Sequence, residues 1–218
     1  MLTIAIIDCG IGNLRSVQRA FESADVSAPI TDDPGTLDKA DSLVLPGVGA
    51  FKDAMHKLTS TGLDAAIKTH VQERNKPILG ICLGMQLLAH SSREDGDHTG
   101  LGILPASVEP LDVSGQIDWA GRKLTLPHIG WNEIDFSKNS ILFDGIPDRS
   151  DFYFVHSFHV ACDQEEHVAA TTEYGSPFAS VLEHGNIFAT QFHPEKSQRL
   201  GQQLIQNFIK CCGQRVAA

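Results

Sequence analysis

No stretch of this sequence is apolar for long enough to cross a membrane: nothing approaches the ~18 residues a span requires. The opening run MLTIAIID has no basic region before it and meets an aspartate at residue 8. It is expected to be a buried strand rather than a secretion signal. Lysine and arginine number 17 against 27 acidic residues, do not cluster, and leave a net charge of −10. Nucleic acid and anionic membrane surfaces are therefore disfavoured as partners. The five cysteines, at positions 9, 82, 162, 211 and 212, include no C-x-x-C pair. An odd, unpatterned set suits reduced thiols in the cytoplasm, with Cys211 and Cys212 packing at the end of a last helix. H-E-x-x-H and Cys/His clusters of ligand spacing are also missing, so no metal and no cofactor are expected. Without repeats or low-complexity linkers, the 218 residues read as one domain, 1–218, large enough for a substantial core.

What is present divides into two halves. Leu2 to Ile7 is continuously apolar, as in a strand buried on both faces. An amphipathic helix is expected over residues 13–24, with Leu14, Val17, Phe21 and Ala24 on one side. Strands are expected at Val26–Ile30, Ser42–Leu45 and Pro77–Ile81, and helices at Phe51–Leu58, at Leu63–Arg74 and after Cys82. This alternation predicts an α/β fold with a mostly parallel central sheet flanked by helices. From Ile103 to Ala189 the pattern changes to short β-like runs: VEPL, KLTL, FYFVHSFHV, HVAATTE, FASVLEHG and NIFATQF. They predict an antiparallel β addition continuous with the parallel half. SSREDGDHTG, residues 91–100, reads as a polar loop able to roof a site. A final helix is expected over about Gln198–Cys212, with Leu200, Leu204, Ile205, Phe208 and Ile209 facing the core.

The chemistry concentrates at GICLGMQ, residues 80–86. Gly80 and Gly84 flank Cys82 symmetrically, in the G-x-C-x-G pattern of a nucleophile elbow. A tight strand-to-helix turn forces neighbouring backbone together, and glycine removes the collision. The helix amino end then favours thiolate over thiol. The plainer reading is a small apolar cysteine in a glycine-rich turn. A base is offered by ATQFHPEKSQ, where Pro194 ends a strand and leaves His193 at its tip, with Glu195 two residues on to orient the imidazole. Cys82, His193 and Glu195 make a triad. His156 and His159 could wall a pocket but have no carboxylate in register, and most other histidines read as solvated. Thiolate attack on an acyl carbon creates an oxyanion. Leu83 offers one N–H to it, and Pro46-Gly47-Val48-Gly49 offers others or is an ordinary βα turn. Asp8-Cys9-Gly10-Ile11-Gly12-Asn13 resembles a dinucleotide fingerprint, but Arg15 stands at the third glycine position, and only Asp32-Asp33 supports the idea.

GICLGMQ together with QFHPE resembles the class I (triad) glutamine amidotransferases. DCGIGNLRSV, PGVGAF, PHIGWNE, FVHSFHV and FHPEKSQ extend the resemblance, nearly end to end, to the glutaminase subunits of imidazole glycerol phosphate synthase. The resemblance implies that ammonia from glutamine passes to a (β/α)8-barrel cyclase subunit in a heterodimer serving histidine biosynthesis. It implies Cys82 as nucleophile, His193 as acid and base, Glu195 as orienting partner, and Val48, Gly49 and Leu83 as backbone donors. Gln86, Glu94, Ser157 and Phe158 are implied to hold the amino-acid end of glutamine, with Glu94 as counter-charge to its ammonium. His128, Trp131, Asn132 and Asn13 are implied to face the cyclase. Cys9 departs from the tyrosine common before G-I-G-N in the family and affects only local packing. Glutaminase components of anthranilate or aminodeoxychorismate synthase share the triad but lack PHIGWN. A cysteine peptidase of similar fold and a nucleotide-binding module are more distant alternatives.

Overall fold

The computed structural model describes residues 2–10, 12–117 and 120–216. The apolar runs of the first half become β1 (Ile4–Ile7), the two-residue β2 (Ile30–Thr31), β3 (Ser42–Gly47) and β4 (Ile78–Cys82). Between them lie α1 (Leu14–Glu22), α2 (Pro34–Leu37), α3 (Phe51–Thr61) and α4 (Leu63–Lys68), and α5 (Leu83–Leu87) follows β4 directly. The second half supplies β5 (Ser91–Ser92), β6 (His98–Thr99), β7 (Ala106–Pro110), β8 (His128–Phe136) and β9 (Ser150–His156). After these come β10 (Phe158–Cys162), β11 (Val168–Tyr174), β12 (Ser176–His184), β13 (Ile187–Thr190) and α6 (Gln198–Val216).

Among the described residues, nine strands join in the order β2-β1-β3-β4-β13-β12-β11-β8-β9. Pairing is parallel from β2 to β13 and antiparallel from β13 to β9, so the antiparallel addition continues the parallel sheet. A separate sheet, β10-β7-β5-β6, packs beside it. Alternation along the buried strands sends Ala5, Ile7, Leu43 and Leu45 toward α3, α4 and α5. Ile4, Ile6, Val44, Leu79 and Ile81 face the other way, onto Val17 and Phe21 of α1 and Leu204, Ile205 and Phe208 of α6. Two apolar layers thus clamp one sheet, which is why its strands read as unbroken hydrophobic runs.

Four expected elements differ. The strand expected at Val26–Ile30 reduces to a bridge at Ser27 and β2, since Pro29 has no N–H for a ladder. SSREDGDHTG is a hairpin, β5 and β6, rather than a loop: Asp95 and Gly96 take φ of 53° and 126°, as a tight Asp-Gly reversal requires. KLTL forms only a bridge from Lys123 to Ile117. FYFVHSFHV is two strands in two sheets, broken at Ser157, whose carbonyl accepts from Leu111 N at 2.9 Å.

The packing of α5 against β3 is tight enough to test. A Cβ on Gly84 would lie 1.6 Å from the Leu45 carbonyl oxygen, whereas one on Gly213, an exposed position in α6, would meet nothing within 4 Å. Gly84→Ala is expected to cost at least ~3 kcal/mol in urea unfolding, the upper end of overpacking penalties. Gly213→Ala should instead stabilise by about 0.5–1 kcal/mol through helix propensity. Equal small effects from both would contradict this close approach.

Candidate active site

β3, β4 and β13 lie side by side and parallel, so their carboxyl ends share one edge. Open α/β sheets place their chemistry there. Cys82 is the last residue of β4 and the N-cap of α5, with φ 53° and ψ −108°. A non-glycine residue in that region carries roughly 1–3 kcal/mol of strain that the surroundings must impose. Gly84 lets the next turn press against Leu45, and a Cβ on Gly80 would approach Met85 N and Leu88 Cδ1 to 2.9 Å. Both glycines flanking Cys82 therefore have a steric reason, as the elbow reading expects.

Register brings the other strands to the thiol. Gly47 of β3 pairs with Cys82, so Val48 and Gly49 emerge beside it. Thr190 of β13 pairs with Ile81, and the chain continues through Gln191 and Phe192 to His193. His193 N donates to Tyr153 O at 2.9 Å, and Ser197 Oγ donates to the His193 carbonyl at 2.7 Å, fixing this backbone. The His193 Nδ1–H donates to Glu195 Oε1 at 2.8 Å, with both side chains 3% exposed. Among the described residues, His193 Nε2 and Glu195 Oε2 have no hydrogen-bond partner. Burial works against a charged His193, but a thiolate at Cys82 and the Glu195 carboxylate outweigh it and raise the imidazole to about 10.

Cys82 opens onto a cavity of about 470 Å³, a size suited to a small metabolite. Val48, Gly49, Leu83, Gln86, Glu94, Ser157 and Phe158, all singled out from sequence, line it. Glu94 stands in the β5–β6 reversal, and its Oε2 accepts from Phe51 N at 2.8 Å. Burial pushes its carboxyl up, while the bond from Phe51 N–H opposes the shift. Gln86 Nε2 donates to Phe158 O at 3.0 Å and to Gln191 Oε1 at 3.2 Å. His193 and Glu195 line a narrow crevice with Gly12, Asn13 and Lys196, and Val48 and Lys196 border both this crevice and the cavity.

The sequence reading missed Gln191, which is fully buried and donates from Nε2 to Cys82 Sγ at 3.7 Å. The available signal was its place two residues before His193, on the same side of an extended chain. It also missed Lys196 and Val155, which line the cavity, where Cys82 Sγ lies 3.8 Å from Val155 O; His156, expected as a possible pocket wall, lines it as well. His159, read as lacking a carboxylate in register, is paired directly with Glu109 across β10 and β7. His70 and His167, read with the solvated histidines, are 3% and 5% exposed.

A larger groove, about 790 Å³, lies at the outer antiparallel end and holds His128, Trp131 and Asn132. Ile129 and Trp131 stand 58% and 47% exposed there. Asn13 is exposed and caps α1 by accepting from Ser16 N at 3.4 Å. The glycine loop at residues 8–13 lacks the acid a ribose would need, because Asp32 pairs with Lys57 at 3.0 Å and Asp33 caps α2. Ile11, within that loop, lies outside the described residues.

The family model for class I glutamine amidotransferases matches residues 5–211. The imidazole glycerol phosphate synthase subunit HisH of Moorella thermoacetica is 50% identical over 208 residues, covering 95% of this chain and 94% of its own. The HisH subunit of Syntrophotalea carbinolica is 48% identical over 205 residues, covering 94% and 98%. Among solved structures, a Thermoplasma acidophilum protein assigned to GMP synthase superposes with a TM-score of 0.73 at 24% identity, covering 100% and 96%. The glutaminase domain of Trypanosoma brucei CTPS does so with 0.68 at 16% identity, covering 98% and 94%. These two likenesses speak for the fold alone. Sequence and fold agree: the chain belongs to the class I glutamine amidotransferase family, among the HisH subunits of imidazole glycerol phosphate synthase.

Proposed function

We propose that this glutaminase works through Cys82, His193 and Glu195, as one domain, in the cytoplasm, beside a (β/α)8 cyclase subunit. The observation that carries the reading is the strained Cys82 turn facing a glutamine-sized cavity, with a paired His193–Glu195 at its back. Glutamine enters with its carboxamide at Cys82. Its ammonium meets Glu94, its carboxylate meets the main chain of Ser157 and Phe158, and Gln86 lies beside this amino-acid end. The Cys82 thiolate attacks the carboxamide carbon, and backbone N–H groups of Leu83, Val48 and Gly49 stabilise the resulting oxyanion. His193 protonates the departing nitrogen, leaving a thioester and ammonia. A water molecule, giving its proton to His193, then cleaves the thioester and releases glutamate. Glu195 holds the imidazole in orientation and stabilises its charged form.

Ammonia released into neutral water mostly becomes ammonium and loses its nucleophilicity, so the outlet must be covered. Trp131, Asn132 and Asn13 face the cyclase in this reading; His128, expected there too, is 3% exposed because Tyr174 and Phe154 stack on its ring, and it backs this surface instead. A half-exposed tryptophan beside an exposed isoleucine is the composition of an interface anchor.

Three outcomes test the assignment. Glutamate release from glutamine by the complex should fall about a thousandfold or more in Cys82→Ser and in His193→Ala, and less in Glu195→Ala. Undiminished single-turnover acylation in His193→Ala would move the base elsewhere. Second, replacing Cys82 by serine removes the main charge that raises His193 while burial remains. The imidazole should then titrate well below its wild-type value, as followed by NMR. Because the folded value exceeds the ordinary 6.5, the associated stabilisation is complete below pH 6.5 and disappears as pH rises through about 10. Third, Trp131→Ala should weaken cyclase binding roughly tenfold or more in calorimetry, and glutamine consumption should exceed product formation. Unchanged affinity with one glutamine per product would make this stretch purely structural.

A further inference from the structure

We infer that Asn132, His128 and His156 form a one-directional hydrogen-bond wire that positions the Phe158 main chain for the substrate. The inference rests on the glutaminase reading above, in which the Ser157–Phe158 main chain receives the glutamine carboxylate. It assigns a task to three residues that take no part in the reaction steps.

The direction of every bond follows from chemistry. His156 Nδ1 is 2.9 Å from the Phe158 carbonyl oxygen, which can only accept, so Nδ1 carries the hydrogen. Burial holds His156 down to about 3, so the ring is neutral and its Nε2 is a lone pair. His128 Nδ1, 3.1 Å from that lone pair, must therefore be the donor. Burial likewise lowers His128 to about 4, leaving its Nε2 as an acceptor. Asn132 Nδ2 donates to it at 3.3 Å. The Asn132 amide cannot be turned over, because Nδ2 also donates to Glu173 O at 3.0 Å while Oδ1 accepts from Glu133 N at 2.9 Å.

Packing leaves little room for another arrangement. The His128 ring is stacked between Tyr174 and Phe154, with centroids at 4.0 and 5.0 Å, and His156 meets Phe178 edge-on at 5.0 Å. A half-turn of His128 would put carbon where nitrogen must be. The second lone pair of the Phe158 carbonyl accepts from Gln86, whose Nε2 also reaches Gln191, which donates to Cys82 Sγ. The carbonyl is thus pinned from both sides. One arm comes from the nucleophile and the other from the Trp131 groove.

The first measurement needs no substitution. Heteronuclear NMR of the imidazoles at neutral pH should find His128 and His156 both neutral and both in the Nδ1–H tautomer. An Nε2–H or charged ring at either position overturns the wire. The second compares glutamine kinetics in the complex with the cyclase. His156→Phe keeps an aromatic ring without the donor and should raise KM roughly tenfold, with kcat changed less. His156→Asn places an amide N–H near the Nδ1 position and should recover most of that loss. Unchanged KM in His156→Phe, or no recovery in His156→Asn, overturns the positioning role; if His156→Phe does not fold, the tautomers decide. Wild-type complex that releases no glutamate, with the tautomers as expected, would instead count against the glutaminase assignment.

Discussion

The site depends on how closely α5 approaches β3. No side chain fits at residue 84, because the Leu45 carbonyl occupies the place of its Cβ. That contact fixes where the helix begins, and the chain path from β4 into it takes Cys82 through φ 53°. The strain is local and the restoring forces are not: they come from buried strands on both sides of β4 and the apolar layers over both faces of the sheet. A thiol held this way cannot relax into the core without separating a helix from a sheet. Its exposure to the cavity is thus a property of the whole parallel half.

Three buried histidines lie on the Cys82 side of the sheet's end or one hydrogen bond beyond it, and are pushed in opposite directions. His128 and His156 are lowered, by burial in both cases, because their partners are neutral amides, carbonyls and each other. His193 is as buried as they are, yet rises, because a carboxylate and a thiolate stand against it. Residue type and depth alone would give all three the same behaviour. The difference is Glu195, delivered to Nδ1 by the Pro194 turn, together with the thiolate. A charge-bearing imidazole and two charge-refusing ones therefore stand within one small region.

Much of this was legible in the residues. The elbow could be read because glycine at 80 and 84 has a steric cause that a core cysteine does not need. His193 could be read because Pro194 marks a strand end. The layered half was plain because strands buried on both faces are apolar throughout. The antiparallel half was harder for a definite reason. FYFVHSFHV keeps its alternation straight through Ser157, so nothing local marks the point where the chain leaves one sheet for another. The pairing of His159 with Glu109 exists only once β10 and β7 are in register. The burial of His70 and His167 likewise depends on elements distant in sequence. Asp95-Gly96 did carry a hairpin signal, but the surrounding polarity of residues 91–100 reads as a loop.

The two halves of the sheet divide the labour accordingly. Parallel strands end together, which gathers groups from β3, β4 and β13 at one edge but cannot connect that edge to a distant surface. Antiparallel pairing can, since directly opposite residues touch side by side along the ladder. His128 and His156 are such opposite residues of β8 and β9. Asn132, four residues along β8, would stand about 13 Å from His128 between Cα atoms in a regular strand. Gly130 lies between them at φ 143°, in open space where a side chain would meet nothing within 4 Å. Glycine there serves conformation rather than clearance, since side chains rarely adopt this φ, and the register with β9 runs unbroken from His128 to Ile134. The motif His128-Ile129-Gly130-Trp131-Asn132 lines the outer groove, where Ile129 and Trp131 are exposed and His128 is 3% exposed. A single strand thus carries both exposed apolar residues and a polar connection, through His128 and His156, to the cavity.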